Sequence, residues 1–218
     1  SMTKLIVVAM ILAAALVVAP ATAARTITAT GANAFVGEED LSFTAVPAGE
    51  TIMQWVHYSD PTAGTIDKTI MATNGVITEL NKGIPTGSYY VFTDAATADP
   101  ANWFTAAGYV NVQVPDVMLD VVLDASRKDS VDGKSVTRDN DLNFKLMNNL
   151  NGYLGTMNIE VILPGGGVTT QFGGQALSGI PVNGQAVYIG PISLANDAAG
   201  TYVAQAKWPR STDFYGKG

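Results

Sequence analysis

Apolar and polar residues alternate with a period of two along most of the chain, in segments of five to nine residues. Residues 25–30 interleave Thr and Ile, residues 41–46 read Leu-Ser-Phe-Thr-Ala-Val, and residues 51–58 are β-branched and aromatic. Period two sends successive side chains to opposite faces of an extended chain, so these segments predict half-buried strands. Further strands are expected over residues 65–72, 88–93 and 109–114, the last continuing past Pro115 into 117–123. Between them stand turn clusters such as Gly37-Glu38-Glu39-Asp40, Pro47-Ala48-Gly49-Glu50 and Lys82-Gly83-Ile84-Pro85-Thr86-Gly87, spaced as in a sandwich or barrel. The best local helix candidate is Asp99-Pro100-Ala101-Asn102-Trp103-Phe104, with Asp at the N-cap and Pro at the first helical position.

The second half repeats this grammar. Asp40-Leu41-Ser42-Phe43 corresponds to Asp141-Leu142-Asn143-Phe144, and Gly87-Ser88-Tyr89-Tyr90-Val91 to Gly200-Thr201-Tyr202-Val203. Both phrases put a turn before a strand whose aromatic points inward, and the Gly-rich stretch over residues 165–174 accommodates the inserted residues of the second copy. The expected fold is all-β, with two tandem Ig-like β-sandwich domains over residues 24–124 and 141–218, joined by a charged interdomain linker over 125–140. In the first half the Gly-Ser-Tyr-Tyr strand is followed by another long strand; the corresponding strand of the second half is followed only by residues 209–218. The second domain is therefore expected to lack its last strand. Either the chain is a fragment of a longer protein, the preferred reading, or a neighbour supplies the strand.

The N-terminus has the three parts of a secretory signal: Lys4, an uncharged apolar run over residues 5–18, and Ala21-Thr22-Ala23 as a small-x-small cleavage site. Fourteen residues span roughly 21 Å as a helix, short of the ~30 Å hydrocarbon core, so a leader over residues 1–23 is expected rather than a membrane span. The mature protein is then secreted and exposed at the cell surface.

Composition narrows the function classes. Of 218 residues, 47% are hydrophobic and only 14% charged, with 19 acids against 12 bases for a net charge of −7. This is a globular composition, held in solution largely by hydroxyls and amides. No basic cluster exceeds Arg127-Lys128, which argues against nucleic acid as a partner. Having no Cys, the chain makes no disulfides, thiolate zinc sites or Cys nucleophile, and a single histidine, His57, excludes any mechanism needing two imidazoles.

The phrases Phe35-Val36-Gly37-Glu38-Glu39-Asp40-Leu41, Gly133 to Phe144 (Gly-Lys-Ser-Val-Thr-Arg-Asp-Asn-Asp-Leu-Asn-Phe), and Gly200-Thr201-Tyr202-Val203-Ala204-Gln205-Ala206-Lys207-Trp208 followed by Asp213-Phe214-Tyr215 carry a resemblance. They resemble a family of secreted proteins from methanogenic archaea, named mainly as a domain of unknown function and similar to surface-layer-type proteins with tandem β-sandwich modules. The resemblance covers nearly all of the mature chain and rests on strand-and-turn phrases, so it implies lineage and location rather than an activity. It also implies further β-sequence, a Thr-rich stalk and a C-terminal anchor, from which this chain departs by stopping at Gly218.

Candidate chemistry is sparse. Asp129, Asp132, Asp139 and Asp141 cluster in the acidic loop; dense carboxylates suit Ca²⁺, which takes six to eight oxygens, although the spacing matches no EF-hand. A solvated acidic linker is the plainer reading. His57, with Met53 and Trp55 on one face of its strand, is expected to be structural. Glu50, Glu79 and Glu160 have no spacing that supports a facing pair for glycoside hydrolysis. No Gly-x-Ser-x-Gly elbow or phosphate loop occurs, and no cofactor or catalytic residue is expected. The function expected is a structural cell-envelope or surface-appendage protein that self-associates or joins other envelope proteins. The alternative is a glycan- or cell-binding, adhesin-like module, which requires a solvent-exposed Trp103 or Tyr153.

Overall fold

Residues 25–217 are described by the computed structural model; the leader read over residues 1–23 lies outside them. The first alternating segments form β1 (Thr26–Ile27), β2 (Ala32–Phe35), β3 (Glu39–Phe43), β4 (Ile52–Asp60), β5 (Thr65–Met71), β6 (Val76–Glu79), β7 (Gly87–Thr93) and β8 (Gly108–Gln113). They pair into two sheets, β1-β3-β6 and β2-β8-β7-β4-β5. Ile27, Leu41, Phe43 and Ile77 of the first sheet meet Trp55, Tyr89, Val91, Val110 and Val112 of the second in one core. Two sheets closing over one apolar layer make a sandwich, and the strand order is that of an immunoglobulin-like module.

The second half comprises β9 (Val117–Leu123), β10 (Leu142–Asn148), β11 (Gly155–Ile162), β12 (Val168–Thr169), β13 (Gln171–Phe172), β14 (Gln175–Ala176), β15 (Ile180–Val182), β16 (Val187–Ile192) and β17 (Val203–Lys207). One sheet runs β16-β10-β9; in the other, β11 pairs with β12, β15 and β17, and β13 and β14 form a separate small hairpin. Leu142, Phe144 and Leu146 of β10 pack against Met157, Ile159 and Val161 of β11. The all-β fold expected from the alternation is thus the fold observed, in two sandwich modules.

The repeat phrases occupy matching places. Leu41 and Phe43 in β3 and Leu142 and Phe144 in β10 all point inward, and each strand pairs antiparallel with a later one, β6 or β16. Tyr89 donates its hydroxyl to Pro85 O (2.9 Å), and Tyr202 donates to Ala198 O (2.7 Å). A tyrosine whose hydroxyl ties back four residues upstream, at the start of a strand, is the tyrosine corner of immunoglobulin-like sandwiches. The two corners make β17 the counterpart of β7.

That equivalence exposes a difference. β7 lies between β4 and β8, whereas β17 pairs with β11 alone among the described residues. The inward-facing Val117, Leu119, Val121 and Leu123 of β9 and Ala204 and Ala206 of β17 are only partly buried, while Val110 and Val112 of β8 are fully covered. Among the described residues β17 therefore has one unpaired edge, with β9 of the facing sheet lying close beside it.

Two expectations change. The run 109–123 is two strands: β8 pairs with β7, but β9 pairs with β10 over seven residues and so lies in the second module. Pro115 has no N–H to donate, and the chain crosses between modules at residues 114–116. Residues 125–140 are therefore a loop within the second module and not an interdomain linker. It folds back on β9 through Val131 N to Val121 O (2.8 Å) and Ser130 Oγ to Asp120 Oδ1 (2.6 Å). The helix candidate at Asp99, expected as one or two turns inside a loop, is a single 3₁₀ turn, Trp103–Thr105. Asp99 makes a side-chain turn, its Oδ1 accepting from Ala101 N (2.9 Å), Asn102 at the N-cap makes no side-chain cap bond, and the Thr105 hydroxyl lies within donating reach of the Asn102 (2.9 Å) and Asp99 (3.0 Å) carbonyls.

Candidate functional site

The outer face of the β2-β8-β7-β4-β5 sheet is built from the positions between the core residues. Register places Tyr90 beside Tyr109, Ser88 beside Asn111, and Asn33 across from Asn111, all on this face. At its upper end Val56, Tyr58 and Phe92 are buried beneath the loop that follows β7, with Ala98 and Ala106 packed on them. Tyr58 donates to Pro100 O (2.6 Å), which fixes the loop; burial, with Asp99 nearby, pushes its hydroxyl up to about 12. The loop in turn sets Trp103 over Tyr90 at 5.4 Å, with Phe104 edge-on to Trp103 at 5.7 Å and Tyr109 6.2 Å from Tyr90. Trp103 and Tyr109 are each 39% exposed and Phe104 is 70% exposed, so this is a ring cluster that solvent reaches.

Below the rings runs a row of amides. Ser88 donates to Asn111 Oδ1 (3.1 Å), Asn111 Nδ2 donates to Gly31 O (2.9 Å), and Gln113 Nε2 donates to Asn33 Oδ1 (3.1 Å). Each amide retains a donor or acceptor that these bonds do not use. The row ends in an open depression of about 490 Å³ lined by Thr86, Gly87, Asn111, Gln113, Val114 and, from the second module, Asn149.

Asn149 is also the pin of the junction: it donates to Val114 O (2.8 Å) and accepts from Asp116 N (2.9 Å) across the connecting residues. Behind it lies a charged clasp. Arg25 pairs with the fully buried Glu38 (2.5 Å), whose other oxygen accepts from Phe35 N (2.7 Å). Burial raises the Glu38 carboxyl above its ordinary 4.5 even though Arg25 pulls it down. Asp213 accepts from Glu39 N (3.4 Å), and burial raises it too. Lys217 binds Glu39, Glu79 (2.9 Å) and Gly37 O (3.0 Å); burial lowers its ammonium, but the two carboxylates outweigh that and leave it raised. Phe214 anchors this returning segment, buried against Tyr153, Trp208 and Phe35.

The pattern of a family described as a domain of unknown function, DUF3821, matches residues 30–218. The chain belongs to this family. No curated protein and no solved structure matches it.

In this DUF3821 domain the sequence-predicted residues are scattered. Asp129 and Asp132 take part in the loop's own turns through their backbone N–H groups, which donate to Ser126 and Ser130, and Asp141 O accepts from Asp124 N. Asp139 lies exposed between them, and no three His, Asp or Glu side chains among the described residues converge as a cation site. His57 Nδ1 shares a hydrogen bond with Asp67 (2.6 Å) and its ring meets Tyr89 at 5.1 Å, inside the strand layer. Glu50 accepts from Thr93, Glu79 pairs with Lys217 and Glu160 accepts from Gln205, each with its own partner. Of the two aromatic candidates, Trp103 is exposed and Tyr153 is buried under Phe214 and Trp208. The amide row escaped sequence reasoning, although Asn33, Asn111 and Gln113 alternate with core residues at the period that defines one sheet face.

Proposed function

We propose that the protein is a secreted structural component of an archaeal cell envelope or surface appendage, and that it assembles through its β-sandwich modules. The observation that carries this reading is the edge strand of the second module. Among the described residues β17 has one unpaired edge, and the inward residues of β9 and β17 beside it are only partly buried. A free strand edge bordering partly buried apolar surface is a template for an added strand. A strand from a neighbouring copy, placed where β8 sits in the first module, pairs the edge and covers the apolar side chains. The leader-like sequence over residues 1–23 and the family resemblance support placement outside the cell, and the net charge of −7 limits indiscriminate association.

Sedimentation and electron microscopy of the mature chain over a wide concentration range, with and without Ca²⁺, test this reading. Oligomers or filaments that grow with concentration are expected, and Leu119→Lys, which puts a charge beside the unpaired edge, abolishes them. A strict monomer at every concentration in both conditions overturns the reading.

A further inference from the structure

The exposed rings and the amide row of the first module share one face of the β2-β8-β7-β4-β5 sheet. Along β8, Tyr109, Asn111 and Gln113 occupy successive outward positions and span about 13 Å at the usual rise of a strand. Their neighbours on this face are Asn33, Ser88 and Tyr90, and none of the six is charged, in a chain carrying 19 acids and 12 bases. We propose that this face binds a neutral polysaccharide, with sugar rings stacked on Trp103 and Tyr109 and their hydroxyls hydrogen-bonded along Asn111 and Gln113 into the depression beside Asn149.

The ligand class follows from matching surfaces. A pyranose ring has an apolar C–H face and a polar rim, and it needs an aromatic ring on one side and neutral donors and acceptors at its edge. Tyr and Trp supply the first at low conformational cost; amides, which donate and accept, supply the second. A nucleic acid needs cations to neutralise phosphate, and this face has none. An apolar protein partner would bury the unspent amide groups without hydrogen bonds, at a cost of about 1–3 kcal/mol for each group left unpaired. An acidic polysaccharide would meet a negatively charged protein in which the base beside the amide row, Arg25 at the Asn33 carbonyl, is already paired with Glu38. The rings are also held in place before any ligand arrives. Asp99, Asn102 and Thr105 lock the loop, and Tyr58 ties it to the sheet, so little ordering entropy is lost on binding.

Trp103 reports directly, since Trp55 is fully buried and Trp208 is packed at the junction. The full mature chain is titrated with cellohexaose, maltohexaose, a β-1,3-glucan and a mannan, and with polygalacturonate as the acidic comparison, following tryptophan emission and calorimetric heat. A saturable response to at least one neutral glycan is expected, weakened tenfold or more in Trp103→Ala and also in the paired variant Asn111→Ala/Gln113→Ala, whose side chains lie outside the core. Far-UV circular dichroism unchanged from wild type in each variant separates loss of binding from misfolding. Silence across the neutral panel, binding unchanged in both Trp103→Ala and the amide variant, or tighter binding of polygalacturonate overturns the proposal. The monomer–oligomer equilibrium that tests the assembly reading is read separately by sedimentation, so one can fail without the other.

Discussion

Replacing Phe214 by alanine asks whether the two sandwiches unfold as one unit. The ring is 2% exposed, lies 4.8 Å from the Trp208 ring and 4.9 Å from Tyr153, and shares its apolar cluster with Phe35 of the first module. Truncating a buried Phe costs about 3–5 kcal/mol through lost transfer energy and the cavity left behind. The segment that carries Phe214 follows the surface and can partly collapse into the void, which favours the lower end, about 3 kcal/mol. At roughly 2–4 °C for each kcal/mol in a chain of this size, the melting temperature falls by about 6–12 °C. The assay is urea unfolding followed by tryptophan emission and by far-UV circular dichroism. Wild type gives coincident transitions, because the junction buries side chains of both modules. The variant gives transitions that separate, because Lys217 and Asp213 lose the anchor that holds them against Glu39 and Glu79. A loss below about 1 kcal/mol, with the two probes still coincident, refutes the idea that this ring couples the modules.

Glu38 and Asp213 have raised carboxyls, so the folded state binds more protons than the unfolded one above their ordinary values of 4.5 and 3.8; that stability is present at low pH and lost as pH rises through the raised values. Melting temperature should therefore rise as pH falls from 7 towards about 5, and Glu38→Gln should flatten the slope; a steady fall over that range contradicts it. Glu38→Ala leaves the largely buried Arg25 without its partner and should cost about 3 kcal/mol in urea unfolding at pH 7, with a cost under about 1 kcal/mol counting against a buried pair. Tyr89→Phe, which strands the Pro85 carbonyl under a fully buried ring, should cost about 1.5 kcal/mol, whereas Tyr202→Phe, whose acceptor reaches water, should cost about 0.5 kcal/mol; equal costs would contradict the difference in burial. Gly37→Ala should cost at least ~1 kcal/mol, because φ is +98° and the new methyl would stand 3.2 Å from the Phe214 ring; an unchanged melting temperature would show that the turn relaxes freely.

Strand grammar made the sandwich class and the repeat legible, because alternation and turn chemistry are local properties. The Gly-x-Tyr phrases, legible only as a repeat, are the two tyrosine corners, and the Asp-Leu-x-Phe phrases lie in two strands with inward aromatics. Pairing is not local, and there the reading slipped. The alternation of Val117 to Leu123 shows which side chains share a face, not which sheet receives them, so the boundary was set after β9 instead of at Pro115. Glu38-Glu39-Asp40 looked like an ordinary polar turn, because the residues that enclose it include Asp213 and Lys217, more than 170 positions away. Tyr153 and Trp103 were equivalent by sequence; only the returning Phe214 distinguishes the buried ring from the exposed one.

The inner face of β17 differs in composition from that of its counterpart β7. The corner tyrosines align Val91 of β7 with Ala204 of β17 and Thr93 with Ala206, so the inner face of β17 carries methyl groups where β7 carries larger side chains. In the first module, β8 adds Val110 and Val112 to a layer already filled by Tyr89 and Val91. In the second, the small Ala204 and Ala206 face Val117, Leu119 and Val121 of the closely approaching β9. If a neighbouring copy supplies a strand at this edge, as proposed, it gains most when its own inward positions are large and apolar, since apolar burial scales with area. The pattern fits large residues on the incoming strand against small ones on the receiving strand, which distinguishes a matching strand from an arbitrary one. Specificity of assembly would then reside in core packing behind the edge, because the backbone hydrogen bonds along it are the same for any sequence.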